Sequence, residues 1–455
     1  MKRSVVIIGA GAAGLAAANE LSKTDCHVIV LEARGRIGGR VFTHKDPVSP
    51  TPIELGAEFV HGKSPEIFQL ARSAHLSLDE VTERHWYFEK DQVSKARNFW
   101  KKIEQIMGEM KKSSSDRSFK NFLDSLPNDE ETQRAKAMAV RYVQGFHAAN
   151  IERISIHGLI RANEAAEEID GDESFRFLDG YDSLMQVLRA QAEIRGASFH
   201  LNTIVKTISW RNDRIDVAGE AKDASAISFK ASNVVITLPL GVLQSDPALL
   251  GAVRFVPELP DSIQSAINNL AMGNVFRINL LFRERFWEEL KAWDENGEVI
   301  HFRDAGFLHT DAPLPTWWTQ TPVRAPVLVG WAGGPRAESL LIHGTGTAVS
   351  TEPAPQMIDA AVDSLARIFK IESTQVREQL RAAYYHDWRA DAFSRGAYSY
   401  VPVGGLAAQQ ILNEPIENKL FFAGEATSIG HIGTVHGAIQ SGLRAAGKIL
   451  DLDER

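Results

Sequence analysis

"SVVIIGAGAAGLAAANELSK", residues 4–23, decides the fold. Ser4 to Ile8 form a short β-branched apolar run, the pattern of a strand buried on both faces. The run enters Gly9-Ala10-Gly11-Ala12-Ala13-Gly14, and "LAAANELSK" then has helical composition. A second strand, "HVIVLE", ends at Glu32, eighteen residues after Gly14. Each glycine has a separate task. Gly9 permits the tight turn, Gly11 lets a pyrophosphate approach the backbone, and Gly14 lets helix and strand pack closely. The helix N-terminus then faces phosphate, and Glu32 stands where it accepts hydrogen bonds from a ribose hydroxyl pair. Strand, loop, helix, strand and terminal acid together make this a dinucleotide site.

The chain is long, 455 residues, so two or three domains are expected. Composition is that of a globular protein, with 44% hydrophobic and 24% charged residues. Fifty basic against 58 acidic residues give a net charge of −8, which argues against a nucleic-acid binder. The single cysteine, Cys26, excludes an internal disulfide and a multi-cysteine metal site, and its strand context marks it as a small packed hydrophobe. No clustered ligands suggest any other metal site. No apolar run reaches membrane-spanning length, and glycines interrupt the one apolar start that resembles a signal-peptide core. A soluble, cytoplasmic protein is expected, with no membrane or nucleic-acid partner.

The residues after Glu32 narrow the kind of dinucleotide. "ARGRIGGRV" sets Arg34, Arg36 and Arg40 among further glycines beyond Ala33, including Gly39. Arginines there suit phosphate charge, and the glycines allow close backbone approach. "LEARGRIGGR" resembles the second signature of the flavin-containing amine oxidase family, which includes monoamine and polyamine oxidases, some L-amino acid oxidases and histone demethylases. "IELGAEFVHG" (53–62) is similar to that family's next block, which implies that Gly56, Ala57, Glu58 and Phe59 lie along the flavin. "LFFAGEATSIGHIGTVHGAIQSGLRAAGKIL" (420–450) matches a third block: a strand, a turn at Gly424-Glu425, then a helix from about Thr434. The resemblance implies that Glu425 sits near the pyrophosphate or ribityl chain. It also implies that Gly433, Thr434 and Val435 bring a helix N-terminus to the pyrimidine carbonyl of the flavin.

The fold class implied is α/β: a discontinuous Rossmann-like FAD-binding domain (1–80, 196–255 and 400–455) with an α+β substrate-binding domain (81–195 and 256–399). Residues 97–145 are charged and helical in character, for instance "WKKIEQIMGEMKK", with lysines on a solvated face. "SSSD" (113–116) reads as a loop or helix start. "FRFLDGYDSLMQVL" (175–188) resembles the block preceding the return to the FAD domain. "GASFHLNTIVKTISW" (196–210) reads as two strands, with Val205 against the adenine by family analogy. "NVVITLPLGVL" (233–243) is another buried strand; "RFVPELP" reads as a linker and 261–271 as a helix.

"GNVFRINLLF" (273–282) carries one residue out of pattern. Phe276, Ile278, Leu280 and Phe282 alternate onto one face, leaving Arg277 on the other with Val275, Asn279 and Leu281. A buried guanidinium is costly unless paired or put to use. Many amine oxidases of the family carry lysine at the matching position, in contact with the flavin through a water. The resemblance therefore implies that Arg277 faces the flavin, holding a carboxylate, a water or the reduced flavin's charge; the alternative is a salt bridge to an acid elsewhere. Oxygen reactivity lower than an oxidase's is one consequence, and a bound amino-acid carboxylate is another.

"HDWRADAFSRGAYSY" (386–400) supplies further candidates. Trp388 resembles the tryptophan near the isoalloxazine, and Tyr398 one aromatic of the pair that flanks the amine in monoamine oxidases. Thr434 occupies the second aromatic's position, as in polyamine oxidases and demethylases. Ala397 stands where some monoamine oxidases have a cysteine bonded to FAD, so FAD is expected to be non-covalent. His61 matches a histidine near the amine in several polyamine oxidases, or is a packed histidine beside a turn. Trp317, Trp318 and Trp331 read as core or pocket wall, and His431 and His436 are left unassigned.

The resulting expectation is an FAD enzyme that oxidises a small-molecule amine to an imine, which water hydrolyses, with O2 or another acceptor taking the electrons. A polyamine or monoamine is favoured, then an L-amino acid. A flavin desaturase acting on C–C bonds and a non-catalytic FAD-binding partner protein are the alternatives. Substrate, acceptor and oligomeric state stay open.

Overall fold

The computed structural model describes residues 3–81, 84–89, 92–95, 99–111, 113, 115–211, 214–293, 297–341 and 353–453. In the stretch 97–145, Arg97, Asn98, Lys112 and Ser114 lie outside what is described, as do the side chains of Phe99, Trp100, Lys101, Lys102 and Glu104. Within these limits Phe99–Lys111 and Glu130–Phe146 are helices of the charged stretch.

Ser4–Ile8 and His27–Leu31 are strands joined by the helix Ala12–Leu21. They form the middle of a five-stranded parallel sheet with Ser198–His200, Asn233–Ile236 and Leu420–Phe422. Strand alternation divides the sheet's two faces. Val5, Ile7, Val28 and Val30 join one core with the helices Ala12–Leu21, Asp182–Ile194 and Val435–Leu450. Val6, Ile8, Ile29 and Leu31 join another, against Val205, Ile208, Ile215 and Val217 of a four-stranded sheet. Runs that are apolar at every position are explained by this three-layer arrangement.

Two glycines set how closely the helices approach. A Cβ on Gly14 would stand 2.0 Å from the Gly9 carbonyl oxygen, and one on Gly442 would stand 2.1 Å from that of Ala13. Gly9 itself has φ +104°, a conformation that favours glycine.

A seven-stranded sheet forms the other half. Its second strand, Val275–Phe282, lies between Leu380–Tyr385 and Val327–Gly333 and is buried at all eight positions. Phe276, Ile278, Leu280 and Phe282 pack with Leu365 and Phe369 of the helix Pro355–Phe369, while Leu281 faces Ile53 and Leu55 on the opposite side. The alternation read from the sequence holds.

Three local readings differ. Arg254–Val256 is a strand, parallel to Thr207–Ser209, where the sequence predicts a linker; hydrogen-bonding groups beside an open sheet edge are available to it. The helix at 261 ends at Asn268, and Ala271–Gly273 then pairs with Tyr398–Tyr400. Asp182–Ile194, which the sequence places in the second domain, inserts Leu184, Met185, Leu188 and Ala192 into the core of the first.

Overpacking a tight backbone contact costs about 1–3 kcal/mol. Gly442→Ala should accordingly lower the urea midpoint of unfolding without changing far-ultraviolet helicity. An unchanged midpoint would show that the two helices have room to separate.

Candidate active site

One cavity of about 1220 Å³ runs between the two sheets. It exceeds the ~300–1,000 Å³ of ordinary small-ligand pockets, so there is room for a dinucleotide and a second molecule. Of the residues expected at the site, Gly14 stands off the cavity and acts behind it, through the contact with Gly9. Apart from Arg36, the others line it.

At one end lie Gly9, Gly11, Ala13, Glu32, Ala33, Arg34, Gly39 and Val205. The Glu32 carboxylate accepts from Ala10 N–H at 2.8 Å and Arg34 N–H at 2.9 Å, which ties the end of the second strand to the glycine turn. Gly39, at φ +58°, would bring a Cβ to 3.2 Å from Gly11 Cα, so the two glycine loops nearly touch. A flat backbone cradle at the start of a helix results, the surface a pyrophosphate needs.

The arginines are already partnered. Arg34 donates to Asp391 at 2.6 Å and Ser394 at 2.9 Å; Arg40 donates to Glu425 and to the Ala397 carbonyl, each at 2.8 Å. Arg36 stands off the cavity, its guanidinium 3.9 Å from the Phe42 ring centroid. Arg40 and Glu425 thus present a compensated pair at the middle of the cavity, and Glu425 also accepts from Ser399 Oγ at 2.9 Å and Gly433 N–H at 2.9 Å. Asp391 was not read from the sequence; only its position after Trp388 hinted at it.

At the other end Gly56, Ala57, Glu58 and Phe59 form one wall. A Cβ on Gly56 would meet the Arg40 carbonyl oxygen at 1.9 Å and the Trp388 ring at 3.1 Å. Trp388 is buried and donates to the Leu55 carbonyl at 2.9 Å. Tyr398 lines the cavity and donates to the Phe146 carbonyl at 2.8 Å. Gly433, Thr434 and Val435 close this end: Thr434 caps the helix Val435–Leu450, its hydroxyl accepting from Gly437 N–H at 3.0 Å. Trp318 and Trp331 line the cavity, whereas Trp317 is core and donates to Ser364.

Arg277 lines the cavity and has an acid. Its guanidinium pairs with Glu58, donates to the Gly56 carbonyl at 3.0 Å, and lies 5.5 Å from the Trp318 ring centroid. The other oxygen of Glu58 pairs with Arg176 at 2.7 Å. All three side chains are about 5% exposed or less. Burial acts to raise the Glu58 pKa, but Arg176 and Arg277 outweigh it and hold the carboxyl below its ordinary value. Arg176 escaped the sequence reading although "FRF" carries the same signal as "FRI", a charge inside an apolar strand.

Behind this trio sits Glu54. Its carboxylate accepts from Tyr181 N–H at 2.7 Å and Thr43 Oγ1 at 2.8 Å, and burial raises its pKa to about 7. Six imidazoles line the cavity, among them His61, His147 and His436. His61 lies 3.3 Å from Ser174 Oγ through Nδ1. Burial lowers His147 to about 4, and burial with His431 and His61 lowers His436 to about 3, so both are neutral at physiological pH.

Residues 12–450 match the family model described as flavin containing amine oxidoreductase. The chain belongs to that family. FAD is the cofactor of the family, and the cradle and the compensated arginines fit it. Lysine-specific histone demethylase 1 homolog 2 of Arabidopsis thaliana is 30% identical over 98% of this chain and 58% of its own length. Human lysine-specific histone demethylase 2 is 28% identical over 98% of this chain and 53% of its own. The chain thus spans about half the length of such relatives. Polyamine oxidase 2 of Arabidopsis thaliana is 29% identical over 97% of this chain and 87% of its own. Among solved structures, putrescine oxidase bound to putrescine superposes with a TM-score of 0.77 at 21% identity, each chain covered in full. Cyclohexylamine oxidase from Brevibacterium oxydans gives 0.78 at 20%. These two establish the mixed α/β fold.

Glu54 gives the site a stability signature. An acid whose folded pKa is raised holds extra protons when folded, so its burial carries no penalty below about 4.5 and the full penalty above about 7. Stability should fall from this source as pH rises through that window. Glu54→Gln is expected to flatten the fall in urea midpoint between pH 5 and 8; an unaltered slope would assign it elsewhere.

Proposed function

We propose that the protein oxidises a small-molecule amine at its C–N bond, giving an imine that water hydrolyses to a carbonyl compound and an amine or ammonia. The observation that carries this reading is the single cavity, with a dinucleotide cradle at one end and aromatic walls at the other. Bound FAD supplies a two-electron acceptor for the hydride equivalent leaving the carbon next to nitrogen. O2 or another acceptor then takes the electrons.

The residues around that end bind and orient. Trp388 and Tyr398 have their polar atoms tied to backbone carbonyls, so their rings stand as fixed walls. Such walls hold a neutral amine along the path to the cofactor. His147 and His436 are neutral, so neither places a positive charge beside an incoming amine. Arg277 is matched by Glu58, which disfavours its serving as the anchor for an amino-acid carboxylate. Its backbone contact to Gly56 supports a role in fixing the wall beside the cofactor.

Gly9, Gly11, Ala13, Glu32, Gly39 and Val205 are proposed to bind the adenosine and pyrophosphate, and Gly56 to Phe59, Trp388, Gly424, Glu425 and Gly433 to Val435 the remainder. The chain's one cysteine, Cys26, packs against the first core, so no cysteinyl bond to FAD can form in the cavity. The five-stranded sheet with its helices forms the FAD domain and the seven-stranded sheet the substrate domain.

Anaerobic mixing with a panel of monoamines and polyamines should bleach the flavin's visible band. Because the neutral amine is the form bound, the half-saturating concentration should fall about tenfold for each unit by which pH rises towards the amine's pKa. No bleaching by any amine would remove this reading in favour of a desaturase or a non-catalytic flavoprotein.

A further inference from the structure

A second arm of the cavity is lined by the end of the helix Glu130–Phe146 and by the segment that leaves the strand Val327–Gly333. Arg141, Tyr142 and Gln144 come from the first, Arg336 from the second, and His309 from a neighbouring strand. The charges here are unequal. Arg141 is paired with Asp311. His309 is neutral, since burial, His85 and Arg141 lower its pKa well below the ordinary value. Arg336 has no hydrogen-bond or ion-pair partner for its guanidinium among the described residues, although it is only partly exposed. Glu338, the nearest acid in sequence, accepts from Asn274 instead, at 3.1 Å. An arginine drawn halfway out of water without a partner is costly unless something else supplies the acceptor.

We propose that Arg336 binds a carboxylate carried by the substrate, remote from the amine that reacts. This rests on the amine-oxidation reading of the same cavity. The ligand is a monoanion because Asp311 faces both Arg141 and Arg336, and the three together leave the arm one net positive charge among the described residues. A planar guanidinium fork meets a carboxylate through two parallel hydrogen bonds. Arg336 stands on the outer arm: Trp331 pairs with Arg277 across the sheet, and the chain turns at Gly334, φ +61°, before the helix Pro335–Leu340 carries Arg336. An aliphatic ω-amino carboxylate can set its carboxylate on that arm and its amine at the inner end, whereas an α-carboxylate stays one carbon from its amine. Of the acids beside this part of the cavity, Asp170 is paired with Lys63 at 3.2 Å and Glu167 with Lys111 at 3.6 Å, while Asp172 is exposed to solvent.

The test uses the FAD-loaded protein and two readouts. Anaerobic flavin reduction by 5-aminopentanoate and 6-aminohexanoate is compared with pentylamine, hexylamine and 1,5-diaminopentane. In parallel, hexanoate, which has no amine, is titrated against the visible spectrum of the oxidised flavin. The amino carboxylates should half-saturate reduction at lower concentration than the chain-matched alkylamines. In Arg336→Gln the ratio of the two half-saturating concentrations should shift by about tenfold, the worth of a hydrogen bond to a charged group, and Arg336→Lys should recover part of it. The hexanoate dissociation constant should rise in the same variant. Equal half-saturation for carboxylate and alkylamine, lower half-saturation for the diamine, or hexanoate binding indifferent to Arg336→Gln would each overturn the proposal. Tighter binding of the matching aminoalkyl phosphate would overturn the charge count. Should no amine reduce the flavin while hexanoate still binds through Arg336, the amine-oxidation reading fails and the anion site stands.

Discussion

Glu58 is the residue on which the site depends. Its two oxygens hold Arg176 and Arg277, which come from strands far apart in the chain, and all three are buried. Charges out of water at that depth are tolerated only when each has a partner, and removing one partner of such a pair typically costs about 3–5 kcal/mol. Glu58 therefore fastens the segment Gly56–Phe59 to the seven-stranded sheet at one point. The segment is pressed from the other side by Arg40 and Trp388, where Gly56 leaves no space for a Cβ. Wall, sheet and glycine loop are thereby brought into one fixed geometry around the cavity.

This arrangement also explains why an arginine is found in the strand Val275–Phe282. Arg277 reaches Glu58, the Gly56 carbonyl and Asn279 at once, and Asn279 in turn donates to the Glu54 carbonyl at 3.0 Å. A single ammonium has no planar fork with which to span those acceptors. The acid and the arginine act together: either one alone would leave a buried charge without compensation.

How legible each feature is in the sequence depends on how local it is. The glycine turn, Glu32 and the capped helix at Thr434 are legible because their geometry is written within a few residues of chain. The buried face of the strand at 275 is legible from its period of two. Arg277 is visible as a charge out of pattern, but its partner is not, since nothing near Glu58 in sequence points 219 residues onward. Arg176 carries the same signal and needs the same question. The helix Asp182–Ile194 and the strand Arg254–Val256 depart from expectation for a related reason: their packing partners lie in other segments, and neither composition nor order reveals which sheet a segment joins.

The polar groups of the cavity's inner end share one property, that their directions are set before any ligand arrives. Trp388 and Tyr398 donate to backbone, Arg40 to Glu425 and the Ala397 carbonyl, Arg277 to Glu58 and the Gly56 carbonyl. Little reorganisation is left for the moment of reaction, which is the condition under which fixed dipoles act most strongly. The outer arm is different, because Arg336 retains an unmatched charge where the inner arginines have theirs compensated. A cavity built this way holds two environments: an inner end whose charges are paired and fixed, and an outer arm whose Arg336 guanidinium has no ion-pair partner among the described residues.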